Sequence, residues 1–265
     1  MDVALGYCHP WGMSYQEVYD LLSEVSAIVT EYKGYLAEEE QDYFAARSLL
    51  VAEVIMSAAP SGALRQLLST FHENVSPYRI PRYQTFSRRA FDSSLIKRAF
   101  ASVEDGAEFY DRVYARDRSP YLLQQKALFL SGRNRHGDAF QAIDRAKAEA
   151  SPYNWTIRNS HAVILFRANI DFAGDKPEVR AQLDASMQTL SECYHSDRRK
   201  AFHAMTFADQ ALRYWDVYRD KSARAYLEKA QQWLAEQRKR EPWLERIAPL
   251  ERVVAKRLEL GVSPH

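Results

Sequence analysis

Glu53 stands on an otherwise apolar helical stretch, Leu49 to Ala59. A carboxylate held away from water there would hold its proton more tightly and serve as a general acid or base. His161 is a second residue of that kind. The simpler reading of Glu53 is an ion pair with a neighbour such as Arg47. Cys193, His195 and His203 have the spacing Cys-x-His-x7-His across a turn at Ser196-Asp197. Zinc sites draw on four close ligands, and this group offers three. It reads instead as an interior thiol and two partly exposed imidazoles. His136, ahead of Gly137-Asp138, reads as a helix-start residue. Gly174-Asp175-Lys176-Pro177 is the nearest approach to a phosphate loop, but its spacing is wrong and Pro stands where a helix should open. There is no Gly-x-Gly-x-x-Gly, His-Glu-x-x-His, Cys-x-x-Cys or Gly-x-Ser-x-Gly. The expectation is a protein that is not an enzyme and uses no cofactor and no metal.

The 265 residues are enough for one large domain or two ordinary ones. With 46% apolar and 27% charged residues the chain is globular, not disordered. Its 36 basic and 35 acidic side chains leave a net charge of +1, so the whole chain is no polycation built for nucleic acid. Two cysteines, Cys8 and Cys193, cannot build a disulfide framework and fit a reducing cytoplasm. Met1 is followed by Asp2-Val3-Ala4, with no basic region or signal-peptide core. The apolar run ending at Pro60 is far short of the roughly 20 residues a membrane helix needs. A cytoplasmic protein without a membrane span is expected.

Only 9 glycines, with abundant Ala, Leu, Arg and Glu, point to helices. Ser14 and Glu17 make a capping box, followed by Val18, Leu21, Leu22 and Val25 at helical spacing. A short segment, Ile28 to Leu36, is broken by Gly34. Residues 38–59 read as one long helix, with Glu38-Glu39-Glu40 favouring its N-terminal end. Another helix spans 61–75. Pro77 and Pro81 then forbid a continuous helix, and helices near 87–102 and 104–116 follow. From residue 119 helix pairs are expected at 119–132 and 136–150, 152–172 and 176–195, and 198–218 and 220–239. A last helix covers 243–260. Short polar links imply antiparallel neighbours.

Repetition of such pairs indicates an α-solenoid, and its chemistry is that of a tetratricopeptide repeat (TPR). Ala139, Ile143 and Ala146 have the spacing of the second helix of such a unit, Pro152 closes it, and Ala127 is the small residue of the first helix. Ala223, Leu227 and Ala230 repeat the pattern, with Ala211 and Tyr214 ahead of them. Ala162 is the small residue of the middle unit. The expected fold is all-α: a TPR-like α-solenoid with a small N-terminal helical or winged-helix module. The expected division is a module at 1–75, a helical connector at 76–118 and the repeat region at 119–265.

Three stretches carry a family resemblance. Tyr43-Phe44-Ala45-Ala46-Arg47-Ser48-Leu49-Leu50-Val51-Ala52-Glu53 looks like the aromatic-Arg-His-x-x-x-Ala-Glu helix that follows a winged helix, with Ser48 in place of His. Phe109-Tyr110, then Ser119-Pro120-Tyr121 with Gln124, Gln125 and Ala127, looks like the start of a repeat array. Ile157, Asn159, Ala162, Ile164 and Asn169 look like its Ile-x-Asn-x-x-Ala helix. Together they resemble the C-terminal region of bacterial STAND-type NTPases, a class that includes anti-phage defence sensors. The resemblance implies a sensor half without the NTPase core, since there is no Walker loop. It implies a partner that is a host or phage-derived protein, with an NTPase or effector subunit among the candidates.

On the TPR register, the concave face carries Gln124, Gln125, Asn159, Ser160, Arg167, Asp209 and Asp216. Amides and charges there would hold a peptide backbone or a carboxylate. The expected function is a non-catalytic protein-interaction module, a sensor or scaffold. The alternative is a nucleic-acid-binding regulator. Residues 78–98 carry six basic and one acidic group, and Arg79, Arg82, Tyr83, Arg88 and Arg89 would hold phosphates and stack bases. Trp215, Tyr214, Tyr218, Tyr226 and Trp233 fall at core spacing. Residues 14–44 are opposite in sign, with eight acidic groups and one Lys.

Overall fold

The computed structural model describes residues 15–24, 29–36, 39–46, 58–74, 88, 90–174 and 176–260. Two compact units divide the chain, Met1–Phe129 and Leu130–His265. The class is all-α with repeated helices. A single antiparallel hairpin is the exception among the described residues.

In the first unit, α1 (Tyr15–Glu24) precedes β1 (Val29–Leu36) and β2 (Glu39–Ala46). The hairpin corrects the expected helix at 38–59. Its register sets Tyr32 against Tyr43, Glu31 against Phe44 and Gly34 against Gln41. Aromatic and β-branched residues at 29, 30, 32, 35, 43 and 44 favour extended backbone. That preference outweighs the helical signal read from the three glutamates. Residues 47–57, with Glu53 and Arg47, lie outside the described residues, as do Ser14 and Cys8.

Helix α2 (Ser61–Asn74) is followed by α3 (Ser93–Ala99), α4 (Val103–Arg116) and α5 (Pro120–Ser131). Their starts are legible. Asp92 accepts from Ser94 N–H at 2.9 Å, and Ser102 Oγ accepts from Asp105 N–H at 3.1 Å. The core of this unit is aromatic. Phe109 meets Phe91 and Phe100 at ring centroid distances of 6.0 and 4.9 Å. The buried Tyr110 hydroxyl donates to the Phe91 carbonyl at 2.9 Å.

The second unit holds α6 (His136–Glu149), α7 (Trp155–Ile170), α8 (Pro177–Ser196), α9 (Lys200–Tyr218), α10 (Lys221–Arg240) and α11 (Ile247–Leu260). Asn154 caps α7 and Asp220 caps α10 through backbone N–H groups. Pro177 opens α8, where a missing N–H costs nothing. Arg219 ends α9 in the left-handed conformation. The helices run back and forth on short links, and α9 packs against α7, α8, α10 and α11. Ala139, Ile143, Ala146, Ala211, Tyr214, Ala223, Leu227 and Ala230 are all fully buried. Each buried Leu or Phe contributes roughly 1.5–3 kcal/mol.

Gly106 and Gly137 make a controlled pair. A methyl group on Gly106 would overlap the ring of Phe129, whereas one on Gly137 meets nothing within 4 Å. Phe129 is itself buried against Tyr110, so it has little room to retreat. Gly106→Ala is expected to lower stability by about 1–3 kcal/mol. Gly137→Ala is expected to be neutral or to raise it by up to ~1 kcal/mol. Urea midpoints of the two variants check this, and equal midpoints would refute it.

Candidate binding face

The seven residues expected on one open face separate into two groups. Gln124, Gln125, Asn159 and Ser160 are interior, each at most 6% exposed. Gln125 Oε1 accepts from Ser93 N–H at 2.9 Å, joining α5 to the start of α3. This corrects their expected place on a ligand-facing surface. Gln125 thus satisfies a backbone N–H and Asn159 meets the buried His203 ring, as packed helices require of their polar residues. Arg167, Asp209 and Asp216 remain open to solvent in part or in full.

Asn159 belongs to a buried junction between α7 and α9. The fully buried His203 ring places Nε2 at 2.8 Å from Asp197 and Nδ1 at 2.9 Å from the Asn159 amide oxygen. Arg199 donates to Asp197 from Nε at 3.0 Å and from its terminal nitrogen at 2.7 Å, and also reaches Thr156 Oγ1. Burial lowers the His203 pKa, and Asp197 only partly restores it. The ring is therefore neutral, with Nε2–H donating to Asp197. For Asp197 burial acts upward, but hydrogen bonds from His203 and Arg199 hold the carboxyl well below the usual range.

The open part of the face is charged. Asp209, Arg213 and Asp216 share one side of α9, since positions i, i+4 and i+7 superpose on a helix. Arg167 comes from α7, and Arg246 directly precedes α11. The Arg213 guanidinium lies 5.9 Å from the Phe166 ring of α7. Arg257 of α11 pairs with Asp216 at 3.2 Å. Arg167, Arg213 and Arg246 all act electrostatically on Asp209. Crowding by protein raises the Asp209 carboxyl, against the pull of these arginines. Arg167 is lowered by burial and by Arg213, with Asp209 acting in the opposite sense. Three guanidinium groups thus act on one carboxylate from beyond ion-pair distance, and none of the three makes an ion pair with a described residue.

Elsewhere the candidates are structural. Burial pushes the Cys193 thiol up to about 11, so it is no thiolate at neutral pH. Among the described residues no cluster of His, Cys, Asp or Glu fits a metal, and no helix is long and apolar enough to cross a membrane. His161 packs its ring edge on Phe140 and stands 3.9 Å from Asp144. Tyr214 and Trp215 are buried, and Trp233 stacks on Tyr194 at 3.8 Å. Both Tyr214 and Tyr226 donate to Asp184, at 2.7 and 3.0 Å. Of the basic aromatic stretch, Arg88 is exposed and its carbonyl accepts from the Tyr121 hydroxyl. Arg79, Arg82, Tyr83 and Arg89 lie outside the described residues. Reading the sequence missed Arg213 and Arg246. Arg213 was findable, four residues beyond Asp209 on the same helix.

Comparison of the chain with protein-family models, with curated proteins and with solved structures found no match.

The His203 junction makes stability depend on pH. The unfolded ring titrates near 6.5, and the folded ring below it. Between those values the unfolded chain holds a proton that the native chain does not. Stability therefore rises with pH through this window and is lost as pH falls below about 6.5. Asp197 acts in the acid range. Its contribution is complete above about pH 4 and is lost as pH falls further. His203→Gln is expected to reduce the change in urea midpoint between about pH 7.5 and 5.5, since one of the rings shifted downward there, with His72 and His161, is gone. An unchanged slope in that variant would refute the assignment.

Proposed function

We propose that this chain is a non-catalytic protein-interaction module, a sensor or scaffold. It binds a protein ligand across the side of the second unit formed by α7, α9 and α11. One observation carries the reading: Arg167, Arg213 and Arg246, from three segments of the second unit, all act electrostatically on Asp209 without ion pairs to described residues. Charged side chains on a rigid helical frame, with their hydrogen-bonding capacity unused, suit recognition.

The TPR-like spacing of buried alanines and the resemblance to STAND-type sensor regions support the same role. On that reading residues 1–75 form a winged-helix-like module, 76–118 a connector and 119–265 a TPR-like solenoid whose concave face meets the ligand. The setting is cytoplasmic anti-phage signalling. The ligand is a phage-derived or host protein, and an NTPase or effector subunit receives the signal.

Affinity purification of the tagged chain from its native host, with and without phage, checks this. A protein recovered with the wild type is expected to be depleted at least about tenfold with the double variant R167E/R213E. Equal recovery with that variant, or recovery of nucleic acid alone, would overturn the reading.

A further inference from the structure

Charge on the α7, α9 and α11 side is unevenly compensated. Asp216 is matched by Arg257 at 3.2 Å. Arg167, Arg213 and Arg246 all act on Asp209, so these four side chains carry an excess of two positive charges when Asp209 is ionised. Arg213 and Arg246 are exposed and Arg167 is half-buried. Their electrostatic free energy falls if anionic groups arrive, and each guanidinium offers a planar fork that fits a carboxylate.

The stripe continues along α9. Phe202 stands eleven residues before Arg213, or three helical turns, which returns it to nearly the same side. Its ring is 42% exposed, one of the exposed large apolar side chains of the second unit. The separation along the axis is about 16 Å. An extended chain covers that distance in about five residues. A peptide can therefore set an apolar side chain on Phe202 and acidic side chains among the arginines.

Nucleic acid suits this surface poorly. It asks for a continuous basic track that neutralises successive phosphates. Here Asp209 sits inside the cluster and the Asp216–Arg257 pair flanks it. The embedded carboxylate interrupts any basic track, so a row of successive phosphates finds no continuous set of partners here. The excess of two positive charges matches a short segment that carries two carboxylates.

We infer that the surface formed by Phe202, Arg167, Arg213 and Arg246 is a docking site for an acidic, extended protein segment with one apolar side chain next to its glutamates or aspartates. This names the class of ligand for the protein-binding surface proposed above and rests on that reading. Asp209 sets its selectivity: it limits the charge the site accepts.

Fluorescence anisotropy with the full chain tests it. The probe is a short labelled peptide rich in Glu with one Leu. The comparisons are the same peptide with Gln for Glu, and a single-stranded oligonucleotide of equal charge. The acidic peptide is expected to bind, weakening as salt rises, and the Gln peptide to bind at least about tenfold less tightly. Arg213→Glu and Arg246→Glu are each expected to weaken it by about tenfold or more. Asp209→Asn is expected to strengthen it severalfold, a gain that no folding defect produces. Phe202→Ala should weaken the Leu-bearing peptide and leave an all-polar acidic peptide unchanged. Equal binding of both peptides, preference for the oligonucleotide, or no gain from Asp209→Asn would overturn the inference. Salt-sensitive self-association of the chain that Arg213→Glu abolishes, with no peptide binding, would overturn it in favour of a second copy as occupant. Such a result would leave protein binding by this surface standing. That broader reading fails separately, if partners recovered from the host ignore the arginine variants.

Discussion

Ala162, Ala204, Ala208, Ala211, Ala223 and Ala230 are each at most 1% exposed. A methyl group at a helix contact lets backbones approach to the short end of the usual 8–10 Å spacing. Larger side chains then fill what remains. Phe166, Phe207, Tyr214 and Trp233 interleave with those alanines in a single core that runs from α7 to α11. This close approach fixes the rotation of α7, α9 and α11 about their own axes. Once rotation is fixed, so is the set of residues left outside, and the convergence of Arg167, Asp209 and Arg213 follows. A larger residue at one of the alanines would turn a helix or push it away, and the charged surface would lose its spacing.

Polar groups inside the second unit refine this arrangement. Ser186 Oγ donates to the Ala162 carbonyl at 2.6 Å and ties α8 to α7. Asp184 of α8 receives both Tyr214 of α9 and Tyr226 of α10. Tyr194 donates to Glu236 and accepts from Gln237, both at 3.0 Å, while its ring stacks on Trp233. His203 joins Asn159 to Asp197. Each link satisfies a buried group that would otherwise cost free energy, and each does so in only one register of the helices. Apolar contact tolerates sliding, and these bonds do not. The arginines keep their places because the interior cannot shift.

Much of the second unit was legible from residue order. The ends of α6 to α10 fall within a few residues of the expected ones, because Asn154, Pro177 and Asp220 are unambiguous start signals. The alanine spacing identified buried positions correctly. The hairpin at residues 29–46 was not legible. Tyr32, Tyr35, Tyr43 and Phe44 are strong strand formers, but Glu38-Glu39-Glu40 resembles the acidic first turn of a helix. Strand pairing is a contact between distant residues, and local preference alone does not reveal it. Four of the seven residues expected on the binding face proved interior for a related reason. A Gln or Asn at a helical position looks the same in sequence whether it faces water or a backbone N–H.

Order along the chain determined where helices begin, where they must end and which of their sides are apolar. Those properties rest on capping, on proline and on periodicity, all of which act within a few residues. The same order determined that no familiar catalytic signature is present. Tertiary structure alone decided that His203 is buried between an amide and a carboxylate. It alone brought Arg246, which precedes the last helix, to the same carboxylate as Arg167 of α7. These two arginines are 79 residues apart in sequence. Their nearness is set by the packing of whole helices, and that depends on every buried side chain between them.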